Sequence, residues 1–191
     1  MANTNVAFGL EPVLPKGGVV QTTEYYVPAS DGTALFQGDP VIIAGSGDAA
    51  GVPSITRATG ATAARITGVV VGFRPDSGIT SLGYRAASTA AYVLVCDDPE
   101  QVYEIQDDSD GGNLAVTDIG LNANLVAGSG STATKRSGFQ LDTSTKATTA
   151  THQVRILGIT QRSDVEVGAN TKVRVRINTP TETGAAGSTG V

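Results

Sequence analysis

Lys172-Val173-Arg174-Val175-Arg176-Ile177 alternates a cation with a β-branched residue over six positions. In an extended chain successive side chains point to opposite faces, so this segment predicts a strand with Val173, Val175 and Ile177 on one side and three cations on the other. A helix would scatter both sets around its axis. The same grammar recurs in Val41-Ile42-Ile43-Ala44, Ile66 to Phe73, Ala91 to Cys96, Val102 to Ile105 and Gln153 to Thr160, each bounded by Gly, Pro, Asp or Asn. No long window repeats apolar residues at i, i+3, i+4 and i+7. The expected fold is therefore all-β with little helix, a β-sandwich or small β-barrel units.

Composition agrees. The 191 residues include 24 Gly and 8 Pro, which punctuate short elements, and length allows one large or two small domains. One Cys excludes an internal disulfide and a thiolate zinc site, so packing alone must hold the chain. A net charge of -5 argues against a general nucleic-acid binder. No apolar run approaches the roughly 20 residues of a membrane-spanning helix. The opening Met1-Ala2-Asn3-Thr4-Asn5 has no basic residue, and Glu11 and Pro12 interrupt Val6 to Leu14, so no secretory signal is expected.

Three echoes suggest an internally duplicated pair. Ile42-Ile43-Ala44-Gly45-Ser46-Gly47 returns as Leu125-Val126-Ala127-Gly128-Ser129-Gly130, and Arg65-Ile66-Thr67-Gly68-Val69 as Arg155-Ile156-Leu157-Gly158-Ile159. Asp97-Asp98-Pro99 is matched by Asn178-Thr179-Pro180, in the same order. Gly-Ser turns and Val-rich strands also recur by chance in such a composition; as a duplication the halves run about 38-99 and 118-180. The organisation expected is an extended N-terminal arm over 1-20, a β domain over 21-179, and a flexible, Gly-rich C-terminal tail over 180-191. Phe8, Leu10, Val13 and Leu14 are large apolar side chains on that arm. They suit an external interface or an edge strand folded back on the domain.

Candidate chemistry is sparse. The one imidazole, His152, falls on the apolar face of its strand with Val154 and Ile156 and reads as structural. Cys96 ends a strand beside Asp97 and Asp98, whose charges raise a thiol pKa, and reads as core. Asp107-Asp108-Ser109-Asp110-Gly111-Gly112 has carboxylates that could wrap a hard cation, but it misses the EF-hand spacing and reads as a solvated turn. Gly45 to Gly51 misses the dinucleotide fingerprint. The cations of Lys172 to Arg176 read as a solvated face that discourages edge aggregation, with contact to phosphate or an acidic partner as the alternative. No catalytic residue, cofactor or metal is expected.

Further motifs carry a resemblance. Met1-Ala2-Asn3-Thr4-Asn5 with Phe8-Gly9-Leu10-x-Pro12-Val13, then Tyr25-Tyr26-Val27-Pro28-Ala29-Ser30-Asp31 and Leu35-Phe36-x-Gly38-Asp39-Pro40-Val41, resemble a group of small virion structural proteins of tailed bacteriophages. Gly68 to Phe73, Tyr92 to Val95 and Val167-Gly168-Ala169-Asn170 extend the likeness to about Asn178. The resemblance implies a non-enzymatic head protein, with capsid decoration (cement) proteins as the closest functional analogy. It further implies the major capsid protein as partner, a dimer or trimer, no nucleic acid or membrane, and a place on the capsid exterior after assembly in the host cytoplasm. A ring-forming neck or tail protein is the alternative, and a receptor- or glycan-binding β module a weaker one. On this reading deletion of Met1 to Pro15 leaves the β domain folded and weakens attachment.

Overall fold

The computed structural model describes residues 3–13, 18–75, 83–181, 187 and 189–190. Among the described residues twelve strands run in chain order: β1 (Glu11–Pro12), β2 (Thr23–Val27), β3 (Pro40–Gly47), β4 (Pro53–Arg57), β5 (Gly68–Phe73), β6 (Ala91–Cys96), β7 (Val102–Gln106), β8 (Asn122–Ala123), β9 (Leu125–Val126), β10 (Gln140–Leu141), β11 (Val154–Ile159) and β12 (Lys172–Ile177). Two single 3-10 turns, Val116–Asp118 and Thr143–Thr145, are the helical content among the described residues. None is long and apolar enough to cross a membrane. The protein is all-β.

Strands β2-β4-β3-β5-β6 close into a barrel. Its interior follows from period-two alternation: Ala91, Val93 and Val95 of β6 are buried, while Tyr92 and Leu94 between them stay half-exposed. Val27, Val41, Ile55 and Val70 meet them inside. The second half is wired alike. β7 pairs β12 antiparallel as β2 pairs β6, and β11 pairs β12 as β5 pairs β6. The broken strand β8–β9 pairs β11 and β10, as β3 pairs β5 and β4. Even the parallel closure recurs, Tyr26 opposite Ser54 in one unit and Asp107 opposite Leu141 in the other.

The bulges set the register of this repeat. One interrupts β5–β6 between Val70 and Gly72, the other β11–β12 between Ile156 and Gly158. Gly158 therefore corresponds to Gly72 and not to Gly68, so the Arg-Ile-x-Gly echo is out of register. Leu125, opposite Leu141, likewise corresponds to Ile43, opposite Ile55, and not to Ile42. The repeated pairing also takes in β2 and β7, which lie outside residues 38-99 and 118-180.

The units pack over an apolar seam. Ile66, Val69 and Cys96 of the first join Tyr103, Leu125, Phe139, Val154, Ile156, Val173 and Val175 of the second in one buried cluster. A polar latch crosses the same seam. Asp39 is fully enclosed and accepts from Phe36 N at 2.8 Å and Ser137 Oγ at 2.6 Å, while Arg57 Nε stands 3.3 Å from its carboxylate. Arg57 donates to Gly128 O at 2.5 Å, and its guanidinium lies over the Phe139 ring at 4.6 Å. The tail is partly tied as well: Thr181 N donates to Ile66 O at 3.1 Å and Gly190 N to Thr148 O at 3.0 Å.

Candidate interaction surface

The arm does not stand off the domain. Glu11 and Pro12 lie antiparallel to Glu104 and Tyr103 of β7, and Val13 N donates to Val102 O at 2.8 Å. Pro12 is tolerable because β1 is an edge strand, where a missing N–H costs little. Leu10 is wholly enclosed in the seam cluster, so it is unavailable to a partner and serves as a core residue instead. Gly9 makes this entry feasible. It adopts φ +75°, and a Cβ there would stand 2.4 Å from Gly38 O and 2.5 Å from Ser137 Cβ. Phe8 and Val13 are half-buried, and Leu14 lies outside the described residues.

Further out, side chains tie the arm down. Gln106 accepts from Val6 N and donates to Thr4 O, both at 2.8 Å. Asn3 donates to Glu166 O at 2.8 Å and Ala169 O at 2.9 Å. Val6 and Phe8 line an open cleft of about 350 Å³ with Glu104, Arg162, Asp164 and Lys172. Its charges are mutually paired. Thr160 Oγ1 donates to Glu104 at 2.9 Å, and Arg162 bridges Glu104 at 3.0 Å and Asp164 at 3.1 Å. Hydrogen bonds from Lys172 and then Arg162 pull the Asp164 carboxyl down to about 2.

Since Leu10 fills core space, deleting Met1 to Pro15 is now expected to destabilise the domain itself rather than leave it intact. Leu10→Ala alone should cost about 3 kcal/mol by lost burial and cavity formation. Urea unfolding checks this; an unchanged midpoint would mean the arm's seat contributes nothing.

The cation stripe of β12 is engaged on its outer face. Lys172 donates to Asp164 at 3.0 Å and Arg176 to Glu100 at 2.5 Å, while Arg174 sits opposite Glu104 across the β7–β12 ladder. His152 is buried with Nδ1 3.4 Å from Asn122 O. Cys96 is fully enclosed, and burial first, with the Asp97 and Asp98 charges adding less, pushes its thiol up. In the acidic loop the carboxylates of Asp108, Asp110 and Asp142 come within 4.8 Å of one another. They staple two turns: Asp108 Oδ1 accepts from Thr143 N and Oγ1 at 3.0 Å, and Asp142 Oδ1 from Ser144 N at 2.9 Å.

One surface was not singled out from sequence. On the outer face of the first barrel, Tyr26 and Tyr92 pack with centroids 5.4 Å apart, and Arg74 lies over Tyr92 at 4.6 Å while pairing with Glu24 at 3.0 Å. Tyr92 Oη donates to Asp48 at 2.5 Å. The alternation of Ala91 to Cys96 could have placed Tyr92 outside, but only the β2–β6 register sets it beside Tyr26. No protein-family model, curated protein or solved structure matches the chain.

Proposed function

We propose that this chain is a non-enzymatic capsid decoration protein of a tailed bacteriophage, binding the outside of the assembled head and bridging major capsid subunits. The observation that carries the reading is the repeated wiring: one chain presents a closed barrel and a second β unit paired on the same plan, fastened by the apolar seam and the Asp39–Arg57–Ser137 latch. A shell is made of many copies of one subunit. A tandem of related units is suited to grip two neighbouring copies at once, and linking two contacts raises avidity without new chemistry. The phage-like motifs of the arm and first barrel support the same reading, and an acidic protein is repelled by packaged DNA.

A protein that binds only the assembled lattice stabilises it by mass action. Mixed with empty heads that lack it, the protein should co-sediment saturably, decorate the exterior and raise the melting temperature of the shell. Failure to bind, with closed rings formed by the protein alone, would replace this reading with a neck or tail role.

A further inference from the structure

We draw no further inference here: the strongest candidate, the apolar cleft of about 290 Å³ that Leu10, Pro12, Val20, Thr22, Val70 and Val71 line between the arm and the first barrel, carries nothing because nothing in the structure shows what covers it.

Discussion

Replacing Arg85 with methionine is expected to destabilise the protein by about 3–5 kcal/mol, the scale for breaking a buried charge cluster by removing one partner. The Arg85 side chain is fully enclosed, and its guanidinium organises one end of the first barrel. Nε donates to Thr89 O at 2.6 Å, one terminal nitrogen to Thr33 O at 2.5 Å, and the other to Pro28 O at 2.9 Å and Asp31 O at 2.8 Å. The Asp31 carboxylate stands 3.8 Å away. Methionine fills similar volume but leaves four carbonyls without their donor and removes the cation beside the Asp31 carboxylate, which keeps its hydrogen bonds from Thr33 N and Thr56 Oγ1. Arg85→Lys keeps the charge but loses the planar fork, so it should recover only part of the loss. Urea unfolding of both variants checks the argument; lysine behaving like arginine would show that charge rather than fork geometry matters here.

Little of this was visible in the sequence. Arg85 lies in Tyr84-Arg85-Ala86-Ala87-Ser88, which has no periodicity and no neighbouring acid, and its partners are more than fifty residues upstream except for Thr89. What the sequence does reveal is local. Period-two alternation identified β12 and β6 because each buries one face, and the pattern is a property of the strand alone. Closure into barrels depends on register between strands, which no short motif carries. The repeat shows both sides of this. Its turns and Val-rich strands were audible as echoes, yet their alignment was set by Gly in Gly68-Val69-Val70-Val71-Gly72, where two candidates compete and only the bulge chooses Gly72. The arm was ambiguous for a related reason. Leu10 on a polar, proline-bearing segment must be covered by something, and composition does not say whether the cover is another protein or the chain's own seam. The close approach of Gly9 to Gly38 is the physical sign that it is the seam. Tyr26 comes from β2, Tyr92 from β6 and Arg74 from the residue just after β5, so their meeting is a product of the barrel and not of any stretch of chain.

Asp39→Ala should cost about 3–5 kcal/mol, because it strands the Arg57 charge at the seam and leaves Phe36 N and Ser137 Oγ without their acceptor. The isosteric Asp39→Asn gives a sharper result through its pH dependence. Burial raises the Asp39 pKa above the usual carboxylate value, with Arg57 and the hydrogen bonds from Ser137 and Phe36 only partly opposing it. The native state therefore binds this proton more tightly than the unfolded chain does. Stability contributed by the group must then increase as pH falls from above its native pKa toward about 3.8, the opposite of an ordinary salt-bridged carboxylate. Asparagine does not titrate, so the stability of the unsubstituted protein minus that of Asp39→Asn isolates the effect from exposed acids such as Asp164, whose lowered pKa acts with the contrary sign. Urea unfolding of both proteins from pH 7 down to pH 4 should show that difference growing in favour of aspartate. A difference that shrinks on acidification would mean that Arg57 holds Asp39 as an ordinary ion pair. The latch would then join the two units by charge attraction, and not by a buried carboxyl kept in place by hydrogen bonds and packing.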